Sequence, residues 1–229
     1  MRSLIQQCLR EGHTVMPELE AQKLCAAYAI PCPPTNVARN REECAAFAET
    51  IGYPVVMKVL SRQVVHKSDV GGVITNIKST EEMHAAFAKM TGALNANCPD
   101  AVIDGYVIQK MMPAGIEVVV GALRNEQFGP VVMFGMGGIY IEVFKDVEFR
   151  LAPLDKAEAV RQINETKIAA ILKGVRGQKP CDENALADLI VNAAKLICDF
   201  EEIREIDFNP VFSYADGCVA VDARIVIGN

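Results

Sequence analysis

A basic stripe is missing from this sequence. Its 23 lysines and arginines stand against 29 aspartates and glutamates, a net charge of −6. Long-range attraction for polyanions is therefore absent, which argues against a nucleic-acid groove and an anionic-membrane face. Any phosphate binding must be local, built from a few cations, backbone N–H groups and a divalent metal. Long apolar runs are missing too. VVVGAL (118–123) and PVVMFGMGG (130–138) fall far short of the ~20 residues a membrane-spanning helix needs, and both read as buried strands. The first twenty residues hold no continuous apolar core of a secretory signal. Eight cysteines are scattered without a CxxC pair, so free thiols in a reducing cytoplasm are expected rather than disulfides or a zinc site. The three histidines, at 13, 66 and 84, have no partner at metal-ligand spacing. Repeats and low-complexity stretches are likewise lacking.

What is present is an ordinary globular balance, 51% hydrophobic and 23% charged over 229 residues, enough for one large domain or two subdomains. Asn40 with Glu43, Ser79 with Glu82, and Asp155 with Glu158 match the N-cap/N3 pattern that satisfies orphan N–H groups reciprocally. The first of these predicts a helix over 41–50 that stops at Gly52. Pro17 predicts a helix to about Ala29, followed by a proline-rich extended connection; Asp182 caps another over 183–198. Strand-like runs fall at Pro54–Leu60, Gly72–Lys78, Val102–Met111, Ile116–Leu123, Pro130–Phe134 and Val147–Ala152. Ile206–Phe212 and Cys218–Val226 read as a hairpin around Ala215-Asp216-Gly217. The pattern predicts an α+β fold of two subdomains, 1–100 and 101–229, hinged near residue 100.

Three constellations carry chemistry. In GYPVVMKV and SRQVVHKSDVGGVITNI (52–77), Lys58 interrupts an apolar strand, awkward for an ammonium unless it reaches a partner. Two strands joined by a loop with Gly71 and Gly72 can fold over a triphosphate; a hairpin with a snorkelling lysine fits equally. In EIREIDFNPVF and GCVAVDAR (202–224), Asp207 and Asn209 lie two apart and share a strand face, with Asp222 on the next apparent strand. Their oxygens suit Mg²⁺, while an ion-pair network with Arg204 and Arg224 is the structural alternative. In 107–138, Gln109-Lys110-Met111-Met112 ends one strand and Glu117 opens the next. A backbone there can meet a purine edge, with methionines on the ring faces, or the methionines are simply core. Gly135, Gly137 and Gly138 do not form a dinucleotide-binding GxGxxG.

The ordered set PELEAQKLCAAYAIPCPP, GYPVVMKV, HKSDVGGV, IQKMMPAGIEVVVG, FGPVVMFGMGG, FRLAPL, EIDFNPV and VDARI resembles the ATP-grasp β subunit of NDP-forming acyl-CoA synthetases. It is most similar to the ADP-forming acetyl-CoA type, a relative of succinyl-CoA synthetase. The resemblance spans about residues 15–227. It implies an ATP-grasp fold with nucleotide between two subdomains, Lys58 on phosphate, the Met111–Met112 region and Glu117 on adenosine, and Asp207, Asn209 and Asp222 on Mg²⁺. His66 matches a histidine on a mobile loop that shuttles the phosphoryl group.

The resemblance further implies a CoA-binding α subunit as partner, in an α2β2 complex. That complex would interconvert acyl-CoA, ADP and phosphate with free acid, CoA and ATP. Fused relatives carry CoA-binding and ligase domains that this sequence lacks, so a separately encoded subunit is expected. Two rival readings remain: an ATP-grasp carboxylate–amine ligase acting alone, and a non-catalytic nucleotide-binding regulator.

Overall fold

The structure is a computed structural model that describes every residue except 62, 65, 66, 139–145, 176 and 229. The chain folds as two compact units, Pro33–Pro113 and a larger one made of Met1–Cys32 with Ala114–Asn229.

The smaller unit contains β1 (Thr35–Ala38), α3 (Arg41–Ile51), β2 (Val55–Leu60), β3 (Val73–Ile77), α4 (Thr80–Asn97) and β4 (Gly105–Lys110). Its sheet runs β1-β4-β2-β3, antiparallel at each pairing. Local chemistry sets the helices. Asn40 Oδ1 accepts from Glu43 N–H at 2.9 Å, and Glu43 Oε2 accepts from Arg39 N–H at 2.7 Å. Ser79 and Glu82 repeat the exchange at α4, so two orphan donors are satisfied at each start. Gly52, at φ 83°, ends α3. Strand β2 alternates: Val55, Met57 and Val59 are buried and pack with Ala48, Met83, Met90 and Ile108 in one core, while Val56 and Lys58 take the other face.

The larger unit begins with α1 (Arg2–Arg10) and α2 (Glu18–Ala27). It continues with β5 (Ile116–Asn125), β6 (Gly129–Met136), β7 (Val147–Leu151), α5 (Lys156–Glu165), a short α6 (Ala169–Leu172) and α7 (Glu183–Asp199). It closes with β8 (Ile203–Tyr214), β9 (Gly217–Ala220) and β10 (Arg224–Ile227). The sheet order is β10-β8-β5-β6-β7, with β9 also paired to β8. Helix α7 buries Leu186, Leu189, Ile190, Ala193 and Ile197 against Val118, Val120, Val132, Phe134 and Phe208. Each such large side chain contributes about 1.5–3 kcal/mol by leaving water. Arg124 caps the end of α7 through the carbonyls of Ile197 at 2.5 Å and Phe200 at 3.1 Å, where a cation is favoured by the helix dipole.

Three expectations need correction. The division is not near residue 100, because β4 pairs with β1 and β2 and so belongs wholly to the smaller unit. The N-terminal segment returns to the larger unit: Met16 N–H donates to Ile225 O, and Ala220 N–H to Pro31 O. The proline-rich connection ends in strand β1, which the sequence did not mark. The expected strand 218–226 breaks at 221–223, and its halves pair with different ends of β8. All eight cysteines are free, as expected. No helix among the described residues is long and apolar enough to cross a membrane.

Candidate functional site

Period-2 alternation gives the larger unit's sheet two different faces. Val118, Val120, Val132, Phe134, Ile206 and Phe208 enter the core. On the other face a concavity is lined by Val119, Gly121, Val131, Met133, Glu205, Asp207 and Asn209. Asp207 and Asn209 therefore do share a face. Between them and β5 the register slips: Val118 pairs with Val211 and Val120 with Phe208. The extra residue makes a bulge at Asn209-Pro210, a device that re-aims side chains and tolerates a proline without an N–H to give.

That bulge turns Asn209 toward a glycine pair. Asn209 Oδ1 accepts from Gly138 N–H at 3.2 Å, and Gly137 N–H donates to Glu117 O at 3.1 Å. Gly138 sits at φ 67°, and a Cβ there would run into Glu117 Oε2; one on Gly137 would lie 2.6 Å from the Val118 backbone. The GMGG run thus serves close approach rather than a dinucleotide turn. It brings Glu117, expected on adenosine, and Asn209, expected on metal, onto one backbone junction. Gly138 was missed because its role depends on a strand pairing far along the chain.

Asp207 is pushed up from its ordinary carboxylate value, first by burial, then by the negative charge of Glu205; Arg224 opposes this and Asp222 adds to it. Asp222 thus acts on Asp207, although it lies in the break between β9 and β10 rather than on a strand. The expected arginine network is only partly there. Arg224 Nη1 meets Glu205 Oε1 at 2.7 Å. Among the described residues no salt bridge reaches Asp207. Two carboxylates and an amide oxygen are hard donors, and the ionised form of Asp207, disfavoured by burial and by Glu205, is one that a cation would favour. No group of three or more acids, histidines or cysteines converges as a metal site among the described residues. A small set of this kind fits Mg²⁺, which keeps waters and takes one or two carboxylates plus substrate phosphates.

In the smaller unit, Lys58 stands opposite Val107 on β4 and Val73 on β3, on the face away from the core. Gln109 shares that face, buried at 1% exposure, and its Nε2 donates to Thr35 Oγ1 at 3.2 Å, tying β4 to β1. Lys110 Nζ donates to the carbonyls of Gly52 and Tyr53 at 2.8 and 2.9 Å. Its ammonium is thereby engaged in holding the α3–β2 connection. The N–H groups of Lys110 and Met111 are bonded to Pro34 O and Pro54 O, which leaves Met112 as the next donor along the segment. Met111 and Met112 are half-buried.

Gly71 N–H donates to Ser68 O, and Gly72 N–H to Lys67 O at 2.7 Å. Both donors are spent inside the turn, and a Cβ on Gly72 would lie 2.6 Å from Val59 Cγ1. The glycine pair therefore anchors the end of the loop to β2 instead of offering N–H groups to a phosphate. His66 lies outside the described residues.

Residues 7–227 match the family model of the ATP-grasp domain. A Pyrococcus furiosus protein named acetate–CoA ligase [ADP-forming] I subunit beta is 47% identical over 226 residues, covering 99% of this chain and 97% of that protein. This chain belongs to the ATP-grasp β subunits of ADP-forming acetate–CoA ligases. Solved structures of the family agree. That of Ca. Korarchaeum cryptofilum dinucleotide-forming acetyl-coenzyme A synthetase 1, in complex with coenzyme A, Ca-AMPCP and HgCl+, superposes with a TM-score of 0.95 at 42% identity, covering 99% of both chains. A second structure of that synthetase has coenzyme A and Mg-AMPPCP, with a phosphohistidine segment pointing towards the nucleotide binding site. It gives a TM-score of 0.88 at 39% identity, again covering 99% of both chains. The β-subunit family is one of ligases with the ATP-grasp fold, in α+β form, as the sequence implied.

Proposed function

We propose that this chain binds Mg-ATP or Mg-ADP and passes the terminal phosphoryl group to and from a histidine, as the β subunit of an ADP-forming acyl-CoA synthetase. The observation that carries the reading is the junction at Gly138. One N–H there holds the metal-side Asn209, and the same residue's missing Cβ makes room for the adenosine-side Glu117. A nucleotide is the ligand whose two ends require both.

Asp207, Asn209 and Asp222 would hold Mg²⁺, which supplies charge neutralisation at the phosphates. Lys58 adds a cation for the equatorial oxygens of the transferring group, where negative charge is spread. Met133, with Val119 beside it, would offer an apolar wall to the purine. Gln109 and Lys110 brace the strand that carries them through Thr35, Gly52 and Tyr53. His66 would accept the γ-phosphoryl: the Pγ–O bond to the β-phosphate breaks, a P–N bond forms on the imidazole, and ADP leaves. A neutral imidazole is nucleophilic near pH 7. The acyl chemistry belongs to a CoA-binding α subunit, and we place the complex as α2β2.

The test is phosphoryl transfer in the reconstituted complex. With γ-³²P-ATP, acid-labile and base-stable label is expected on His66, and His66→Asn should bind ATP normally yet stop turnover. Normal acyl-CoA turnover by that variant overturns the shuttle. ATP hydrolysis by the isolated chain, dependent on an acid and an amine, would favour a carboxylate–amine ligase instead.

A further inference from the structure

Strands β8 and β10 place Arg224 directly opposite Asp207, with Val226 opposite Glu205. Directly opposed residues on an antiparallel pair stand about 4.5–5.5 Å apart at Cβ, and diagonal ones about 7–8 Å apart. By backbone placement alone the guanidinium should therefore settle on Asp207. It does not: Arg224 Nη1 reaches along the diagonal to Glu205 Oε1 at 2.7 Å. Both partners of that pair are half exposed, at 51% and 48%, while Asp207 is half-buried.

The choice has a consequence. Arginine cannot shed its proton at any working pH, so a guanidinium resting on Asp207 could be cleared only by a competing anion. While it rested there it would occupy the carboxylate lone pairs and cancel the charge that a divalent cation needs. Glu205 is that competing anion. It stands two residues before Asp207 on the same face and lines the same concavity.

We infer that Glu205 is a positioning residue that holds Arg224 off Asp207 and so keeps Asp207 open to the divalent cation. The inference rests on the reading of Asp207 as a metal ligand, and adds to it a pair outside the metal set. The interaction acts through Arg224, so its signature is non-additivity between the two positions. An effect of Glu205 through its own charge would leave the two substitutions additive.

The experiment is Mn²⁺ binding to the full chain, read by electron paramagnetic resonance of the free ion and by calorimetry, with no turnover required. Glu205→Gln should weaken Mn²⁺ binding by about fivefold or more, within the range of coupled neighbours. Arg224→Gln alone should leave Mn²⁺ binding near wild type, and adding it to Glu205→Gln should restore binding to within about threefold of wild type, because the displaced guanidinium is then gone. A gain from Arg224→Gln alone as large as the loss from Glu205→Gln would make the two effects additive and overturn the inference. Glu205→Gln is isosteric and Arg224→Gln shortens an exposed side chain, so neither should unfold the chain. Wild-type binding by Glu205→Gln overturns the inference, and so does a double variant as weak as the single one. Asp207→Asn separates the two levels: if it binds Mn²⁺ like wild type, the metal assignment itself falls, whatever Glu205 does.

Discussion

Gly138→Ala isolates the junction on which the nucleotide reading depends. The residue sits at φ 67°, and an added Cβ meets the Glu117 carboxylate. Holding an alanine in the left-handed region costs about 1–2 kcal/mol. The collision is with the far end of a flexible side chain, so Glu117 gives way at about 0.5–1.5 kcal/mol of rotamer strain. The total is about 1.5–3.5 kcal/mol of stability, measurable by urea denaturation of the full chain. The functional loss is separate. A displaced Glu117 forfeits a charge-assisted hydrogen bond to the adenosine, worth about 1.5–3 kcal/mol or roughly 10- to 150-fold in ATP affinity. Glu117→Ala should lose the same affinity with little loss of stability. The double variant should bind ATP no worse than Glu117→Ala, while still losing the backbone share of stability. Calorimetry that found Gly138→Ala binding ATP with wild-type affinity would refute the argument, since the substitution cannot be made without moving Glu117.

Lys58→Ala should weaken ATP binding roughly 10- to 150-fold, the worth of one charge-assisted contact, without unfolding the smaller unit, because the side chain is on the face away from the core; an unchanged affinity in calorimetry would remove it from the site. Glu158 tests the electrostatics of α5. Its hydrogen bonds to Arg161 and then Arg150 lower its carboxyl pKa from 4.5, so it adds stability above that pH and loses it as the pH falls through the lowered value. Glu158→Gln should therefore melt below wild type at pH 7, with the gap closing as the pH falls below 4.5 and through the lowered value; a gap that does not narrow on acidification would show that charge is not the cause.

How far these elements can be read from the sequence depends on how local their causes are. The helix starts at Asn40, Ser79 and Asp155 are decided within four residues, and each cap bond is present. Asp207 and Asn209 share a face because the side-chain period of a strand is two, which needs no knowledge of the partner strand. The corrections arise where a distant segment decides. What the Lys110 ammonium does cannot be read at all until the fold brings the carbonyls of Gly52 and Tyr53 beside it. Gly71 and Gly72 look like a flexible phosphate loop until their N–H groups are found spent on Ser68 and Lys67. The division at 33 and 113 follows from pairings such as Met16 with Ile225, which link residues more than two hundred positions apart.

The same distinction explains why the sequence says of the GMGG run only that it forms no dinucleotide turn. Glycine in a sequence records only that a Cβ is unwelcome, and the dinucleotide turn is one of several causes. Here Gly137 is pressed on Val118, while Gly138 leaves room for Glu117 and gives its N–H to Asn209. Those contacts join β5, β8 and the segment that follows β6, so no window along the chain contains the reason. A glycine run that fits no phosphate motif, yet follows a buried strand and is matched elsewhere by an Asn-Pro bulge, points to backbone packed against backbone. At such a junction the backbone beneath a side chain is held in place, which is what the proposed nucleotide site would ask of the strands that carry Glu117 and Asn209.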